Sequence, residues 1–205
     1  MVSIDQERKK IIKAVLPFVL DEGWNSSVCE KASESIDKDK RYYLTLFSDI
    51  SSVVDFFEQE EDIRMLEELH KINAPEKIRE KIKLALMLRL GSISGGSAML
   101  KKLEDFYLNS KRPLEFTNAA SHIWRTSDVI WKYAGDQSLD FNYYTKRVLL
   151  AGVYTKVINR ILHHGEQNIE EYIAMSLDKV INFGSLKRYF KIPKIEDIPI
   201  LRMFL

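Results

Sequence analysis

The sequence predicts an all-α protein of about nine helices. Only 5 prolines and 8 glycines interrupt its 205 residues, which leaves room for long helices. Apolar residues also recur at helical spacing, beginning with the stripe of Ile11, Ile12, Val15, Leu16 and Val19. Because hydrophobic types make up 45% of the chain, it can bury a sizeable core, and its length suits one domain.

Local signals justify the bounds of each predicted helix. Gly23 ends the first, Ser48 or Asp49 caps the fourth, and Pro75 suits the first turn of the fifth. The stretch KIKLALMLRL alternates like a strand, but its residue types and its flanks favour a buried helix. A glycine-rich break at 91–96 follows it. The predicted helices span 5–20, 26–35, 40–47, 49–69, 75–90, 97–108, 113–133, 142–163 and 168–190.

Composition narrows the function classes. A formal net charge of +1 argues against a general nucleic-acid binder, which usually carries a clear basic excess. The single cysteine, Cys29, excludes an intramolecular disulfide framework and suits a reducing compartment. The chain contains no run of about 18 apolar residues, so the sequence predicts no membrane-spanning helix. With no signal peptide in MVSIDQERKK, we expect a cytoplasmic protein.

Candidate catalytic motifs are weak. Glu67 and His70 form one E-x-x-H, but a helical di-iron site needs a second such pair and two more carboxylates. Gly91 and Gly96 have the spacing of a phosphate-binding loop, yet Ser97 stands where that loop needs lysine. We therefore predict a protein that is not an enzyme, with no metal and no cofactor.

The stretch RYYLTLFSDISSVVDFF (41–57) resembles the junction of the third and fourth helices in TetR-like regulators. This resemblance implies a TetR-like bundle with a three-helix, helix-turn-helix-like segment at 1–47, a helical body at 48–190 and a tail at 191–205. A TetR-type DNA-binding regulator is thus the alternative function. However, eight basic and eight acidic residues precede 48, and Asp37 and Asp39 lie where a phosphate would approach. We expect no nucleic-acid partner.

A second resemblance rests on AGDQSLDFNYYTKRVLLAGVY (134–154). It is similar to the signature of the ubiquinone-biosynthesis lipid-binding accessory protein, the ninth member of the coenzyme Q set. The matching residues are Ala134, Gly135, Asp136, Ser138, Asp140, Phe141, Asn142, Tyr143, Tyr144, Thr145, Lys146, Arg147, Ala151 and Tyr154. DEGWNSSVCEKA (21–32) and LDKVINFGSLK (177–187) also fit that family. Ala174, Met175 and Ser176 depart from it, because the family usually has aromatic residues there.

The resemblance implies a non-enzymatic protein with a TetR-like fold. Such a protein holds an isoprenoid lipid or ubiquinone intermediate and presents it to the di-iron hydroxylase that acts on demethoxyubiquinone. A polyprenyl chain is almost wholly apolar, so the apolar faces of a helical bundle can enclose it. The candidate lipid-binding residues are Leu86, Leu90, Phe106, Trp124, Ile130, Trp131, Leu150, Tyr154, Val157 and Ile161.

Two surfaces are candidates for partner binding. Tyr and Arg are common at protein interfaces, and Tyr143 and Arg147 share a helix face, so we expect them to dock the hydroxylase. Asp140, Phe141 and Tyr144 complete that patch, and Asn142 is the expected helix cap. Basic and aromatic residues at the end of the body and the start of the tail predict peripheral contact with the inner membrane, on the matrix side in a eukaryote. They are Lys187, Arg188, Tyr189, Phe190 and Lys191. Analogy with TetR-like folds also suggests a homodimer.

Overall fold

The computed structural model describes residues 3–91, 93–108, 114–139 and 141–186, and the side chains of these except 141 and 181–186. Within this part the chain forms eight α-helices and one 3-10 turn, Tyr42–Thr45, with no strand. The all-α prediction is confirmed, as a helical bundle consistent with a TetR-like fold. The helices are α1 (Ile4–Glu22), α2 (Ser26–Ser35), α3 (Ile50–Lys71), α4 (Ile78–Gly91), α5 (Gly96–Tyr107), α6 (Glu115–Tyr133), α7 (Phe141–His164) and α8 (Ile169–Leu186).

Several predicted helix ends are confirmed by their capping contacts. The Asp49 side chain accepts from the Ser52 backbone N–H at 2.8 Å, and the Ser52 hydroxyl is 3.1 Å from the Asp49 backbone N–H. This reciprocal capping box begins α3. Gly23 ends α1 with φ of +78°, a conformation that residues with a Cβ rarely adopt. The ambiguous stretch KIKLALMLRL is helical and forms most of α4.

Three local predictions are wrong. The helix expected at 40–47 is a single 3-10 turn, because Tyr43 is buried there and its N–H donates to the Ser33 hydroxyl at 3.3 Å. Pro75 precedes α4 rather than entering its first turn, since α4 begins at Ile78. Asn142 does not cap α7, because the helix already begins at Phe141. The end of the last predicted helix, beyond 186, lies outside the described residues.

The helices share one hydrophobic core. α1 packs on α2 and α5, while α3 packs on α4 and α6, and α7 lies between α6 and α8. Trp24, after α1, has its ring centroid 5.3 Å from that of Phe57 on α3. The buried residues of the N-terminal segment and those of the body belong to one continuous cluster. The predicted domain boundary near 47 stays a prediction.

The N-terminal segment departs from a DNA-reading helix-turn-helix. Such a motif places its second helix in the major groove, where several turns of helix present side chains to the bases. Here α2 is followed by only four residues of 3-10 turn. The described segment therefore has no third α-helix of the kind that the TetR-type alternative requires.

Candidate functional site

A cavity of about 290 Å³ lies between α5, α6 and α7. Its volume is close to the lower end of small-molecule sites, which is roughly 300 Å³. Most of its wall is apolar, because α5, α6 and α7 turn their aliphatic and aromatic faces towards it. The apolar lining residues are Ile93, Leu100, Leu103, Tyr107, Leu108, Phe116, Ala119, Ile123, Ile158 and Leu162.

A buried ionic cluster forms one end of this cavity. Arg89 of α4 is only 1% exposed. Its Nε donates to Asp62 at 2.8 Å and one terminal nitrogen donates to Glu58. Asp62 also accepts from the Thr126 hydroxyl at 2.8 Å and from Arg125 Nε at 3.2 Å. Two carboxylates therefore hold the buried guanidinium, as such a charge requires.

Two buried donors of the cluster, one on Arg89 and one on Arg125, have no acceptor, and of these two arginines Arg89 lines the cavity. The second terminal nitrogen of Arg89, NH1, is buried and makes no hydrogen bond within the described part of the chain. Burial opposes the charge of Arg89, but the carboxylates of Glu58 and Asp62 outweigh it and raise its pKa, so the guanidinium stays protonated. Burial also raises the pKa of Tyr154, which keeps its hydroxyl protonated. Arg89, Tyr154 and Glu58 all line the cavity.

His122 adds a neutral polar group to the same wall. Burial lowers its pKa, so the imidazole is uncharged at neutral pH. Its Nδ1 is 3.3 Å from Asp55 but makes no hydrogen bond. The Tyr107 hydroxyl lies 3.4 Å from Glu58. The buried end of the cavity therefore combines donors and acceptors without an excess of positive charge.

The opposite end of the cavity reaches the surface. Leu108 at the end of α5 and Phe116 at the start of α6 line the cavity and are each 63% exposed. Thr155 and Asn159 of α7 also line it and are exposed. The cavity thus has a polar, buried end and an opening where the apolar side chains of Leu108 and Phe116 lie beside the polar Thr155 and Asn159.

A second cavity, of about 370 Å³, lies where α4, α7 and α8 meet. Its walls are almost entirely apolar, apart from the chains of Arg79 and Lys146. Trp131 closes it on the α6 side, held by a 2.9 Å bond from its Nε1 to the Lys146 carbonyl. Other lining residues are Ile78, Ile82, Leu149, Leu150, Val153, Leu177 and Val180.

The predicted lipid-binding residues are spread over these features. Tyr154 lines the first cavity, and Trp131 and Leu150 line the second. Trp124 is half-buried and stacks with Tyr144, at 6.2 Å between ring centroids. The others are buried in the core and line neither cavity: Leu86, Leu90, Phe106, Ile130, Val157 and Ile161. Sequence reasoning missed Arg89, whose only local signal is a cation inside an apolar run.

The A-G-D motif after α6 forms a second ionic cluster. Gly135 has φ of +91°, which turns the chain so that Asp136 points inwards. The Asp136 carboxylate accepts from Lys146 Nζ at 2.6 Å, the Ser138 hydroxyl at 2.8 Å and Arg147 at 3.0 Å. Burial opposes its charge, but the bonds from Lys146, Ser138 and Arg147 outweigh it and lower the pKa of Asp136 to about 2.

Arg147 is at the centre of this second cluster. Its Nε donates to Asp128 at 2.6 Å, and its NH1 also donates to the Tyr143 carbonyl at 3.0 Å. The Tyr143 ring lies 3.4 Å below the guanidinium, and its hydroxyl donates to Asp128 at 3.0 Å. Arg147 is only 1% exposed, so it cannot face a partner as predicted. Its role is to fix α7 against α6.

Among the described side chains of the predicted docking patch, Tyr144 is the exposed one, at 60%. Its ring contacts Tyr143 at 5.1 Å and stacks on Trp124. Leu139 and Val148, which are 96% and 59% exposed, lie before and after it in the chain. We call Trp124, Tyr143, Tyr144 and Val148, which is one helical turn after Tyr144, the aromatic surface. Asp140, the Phe141 side chain and the tail residues Lys187, Arg188, Tyr189, Phe190 and Lys191 lie outside the described residues.

The weak catalytic candidates remain isolated. Glu67 and His70 are exposed on the last turns of α3. Cys29 is fully buried, and burial raises the pKa of its thiol to about 12, so it is not a thiolate nucleophile at neutral pH. Within the described residues, no three His, Cys, Asp or Glu side chains gather as a metal site. None of the described helices is long and apolar enough to cross a membrane.

Comparisons with known proteins agree on one family. A family model for COQ9 matches residues 116–184. The "Ubiquinone biosynthesis protein COQ9, mitochondrial" of Rattus norvegicus is 24% identical over 204 residues, covering 92% of this chain and 63% of the relative. The Homo sapiens protein of the same name is 22% identical, and the match covers 92% of this chain and 62% of that relative. "Probable ubiquinone biosynthesis protein coq9, mitochondrial" of Dictyostelium discoideum is 29% identical over 156 residues, with 71% and 49% covered. The chain thus spans less than two thirds of the length of these relatives.

Proposed function

From the resemblance to the COQ9 family, which the family model over 116–184 and the relatives support, we infer a role in ubiquinone biosynthesis. We propose that the chain is a lipid-binding accessory protein that catalyses no reaction itself. The observation that carries this proposal is the cavity between α5, α6 and α7, whose walls are mostly apolar and which reaches the surface at Leu108 and Phe116. Its ligand is an isoprenoid lipid or a ubiquinone intermediate.

The physical basis is the transfer of apolar surface out of water. Each Å² of apolar ligand surface that enters the cavity stabilises the complex by roughly 25 cal/mol. The cavity's 290 Å³ holds a ring and the start of a tail rather than a whole polyprenyl quinone. The remainder of the tail leaves past Leu108 and Phe116, where apolar side chains already face the solvent.

Cavity filling tests the lipid-binding proposal. Ala119 lines the cavity, whereas its neighbour Ala120 is exposed on the same helix. We expect solvent extraction and mass spectrometry to find a prenyl lipid with the purified wild-type protein and with Ala120→Trp, but much less with Ala119→Trp. Equal lipid content in the two tryptophan variants, or none in the wild type, would refute binding in this cavity.

The pathway role has its own test. In cells lacking the protein, we expect demethoxyubiquinone to accumulate, because the hydroxylase no longer receives its substrate. Complementation with the wild-type gene and with Ala120→Trp restores the quinone profile, and Ala119→Trp restores it only partly. A normal quinone profile in the deletion strain would count against a role at this step.

The aromatic surface is the proposed docking site for the di-iron hydroxylase. Exposed aromatic and apolar side chains of this kind supply contact area at low entropic cost. In a pull-down we expect Tyr144→Ala to bind the hydroxylase at least tenfold more weakly. Leu44→Ala, which removes an exposed apolar side chain of the N-terminal segment, is the matched control. Undiminished binding by Tyr144→Ala would exclude this surface.

Membrane association and dimerisation complete the proposal. The relatives carry "mitochondrial" in their names, and we propose that this protein works at the surface of the inner membrane. The basic and aromatic residues of the tail support this placement by sequence alone. Vesicle flotation of the full chain and of a chain ending at residue 186 tests the tail, and sedimentation analysis tests the homodimer. Equal flotation of both chains would show that the tail does not contribute to membrane binding.

A further inference from the structure

The polar end of the cavity specifies which part of the ligand enters first. Resting on the proposed lipid-binding function, we infer that the ligand's head inserts inwards against Arg89 and Tyr154, and that this head is a neutral ring bearing hydrogen-bond acceptors. Quinones and substituted phenols belong to this class. The tail then points outwards, through the opening at Leu108 and Phe116.

The unused donor of Arg89 is the first observation. The Arg89 side chain is only 1% exposed and lines the cavity. Its NH1 nitrogen is buried there and has no hydrogen-bond partner. A buried donor without an acceptor costs about 1–3 kcal/mol. An oxygen atom of a ligand placed at this end of the cavity removes that cost, and a hydrocarbon tail end does not.

The charge balance of the cluster is the second observation. Arg89 already has two carboxylate partners, Asp62 at 2.8 Å and Glu58. Glu58 itself lines the cavity. A carboxylate or phosphate head would meet Glu58 in a poorly hydrated space, where like charges repel strongly. A carbonyl or methoxy oxygen accepts the Arg89 N–H without adding charge.

The position of the opening is the third observation. The polar groups Arg89, Thr126 and Tyr154 lie at the buried end, whereas Leu108 and Phe116 at the rim are each 63% exposed. A tail that continues past these apolar side chains covers them and keeps its distal part available to a membrane. The head reaches a partner enzyme only after the ligand leaves the cavity, so the bound form is a carrier state.

Orientation is tested with two quinones that share a decyl tail. Untagged decylubiquinone fits either way round, but a decyl quinone whose tail ends in triphenylphosphonium is too bulky to enter tail first. We expect both to bind the wild-type protein within about threefold of each other in fluorescence titrations. If decylubiquinone binds and the tagged quinone does not, the head-first orientation is wrong. If neither binds, the lipid-binding function itself fails.

Head recognition is tested with decylbenzene, 4-decylbenzoate and the variant Tyr154→Phe. Losing one hydrogen bond of about 1 kcal/mol lowers the affinity roughly fivefold. The affinity of Tyr154→Phe for decylubiquinone should therefore fall by about that factor. Decylbenzene should not change. We expect 4-decylbenzoate to bind more weakly than decylubiquinone. Tighter binding of the benzoate, or an equal loss for decylbenzene and the quinone in Tyr154→Phe, would overturn the neutral-head assignment.

Discussion

Two buried arginines of this protein sit in similar surroundings but have different roles. Arg89 and Arg147 are each 1% exposed and each bridge two carboxylates. Arg147 donates to Asp128, Asp136 and a backbone carbonyl. Arg89 leaves one nitrogen without a partner at the wall of a cavity. Within the described residues, Arg147 leaves no nitrogen both buried and unpaired, so we call its cluster saturated and that of Arg89 incomplete. A saturated cluster holds helices together, whereas an incomplete one beside a cavity can recognise a ligand.

The largest expected effect is the loss of the saturated cluster. In Arg147→Met, Asp128 and Asp136 lose a buried partner, so we expect the free energy of unfolding to fall by about 3–5 kcal/mol. Chemical denaturation measures it. The control is Lys132→Met, because Lys132 also pairs with Asp128, at 2.7 Å, but is 67% exposed, and such a pair contributes about 0–1 kcal/mol. Similar losses in the two variants would mean that burial does not distinguish these ion pairs.

Ligand binding should stabilise the protein only through the cavity beside the incomplete cluster. At a free decylubiquinone concentration of about 100 times Kd, the free energy of unfolding of the wild-type protein should rise by about 2.7 kcal/mol. Ala119→Trp should gain much less, because its cavity is filled, while Ala120→Trp should behave like the wild type. Thermal unfolding with and without ligand measures this gain. A full gain in Ala119→Trp would place the ligand elsewhere.

A smaller effect is expected from the pH dependence of the saturated cluster. The folded pKa of Asp136 is lowered to about 2 from an ordinary value of 3.8. Its charge therefore contributes stability that is fully present above about pH 4 and is lost as the pH falls towards 2. We expect Asp136→Asn to lose about 1–3 kcal/mol at pH 7 and almost nothing at pH 2.

Urea unfolding at several pH values checks this sign. Asp178→Asn is a suitable control, since Asp178 is 54% exposed and pairs with Arg79 at 2.7 Å on the surface. A loss in Asp136→Asn that stays constant down to pH 2 would show that the charge of this carboxylate does not stabilise the fold.

The smallest effect on stability is expected at the aromatic surface. Tyr144 is 60% exposed, so Tyr144→Ala should change the free energy of unfolding by only about 0.5 kcal/mol. The pull-down with the hydroxylase then reports binding rather than folding. A loss of 2 kcal/mol or more in denaturation would assign Tyr144 a structural role and would require another probe of this surface.

Most helices could be predicted because their signals are local. Asp49 caps α3 through a residue three positions away, and Gly23 ends α1 through its own backbone angle. The 3-10 turn could not be predicted in this way. Its length depends on the burial of Tyr43 against α2, where the Tyr43 N–H bonds to Ser33, ten residues earlier in the chain. The spacing of apolar residues in the sequence does not reveal such a contact.

The site was harder to predict for the same reason. Arg89 meets Asp62 and Glu58, which are 27 and 31 residues away in sequence. In the sequence it looks like a surface cation beside apolar neighbours. Arg147 was recognised through its motif, but its burial depends on Asp128, 19 residues earlier. The apolar residues expected to line a cavity mostly form the core, because spacing identifies a buried face without locating a gap in it.

A crystal structure of the protein with decylubiquinone tests the central claim most directly. The account predicts the quinone ring between α5, α6 and α7, with an oxygen within hydrogen-bond distance of Arg89 NH1 and the tail leaving past Phe116. A ligand bound only elsewhere on the protein, with this cavity collapsed or empty, would contradict it.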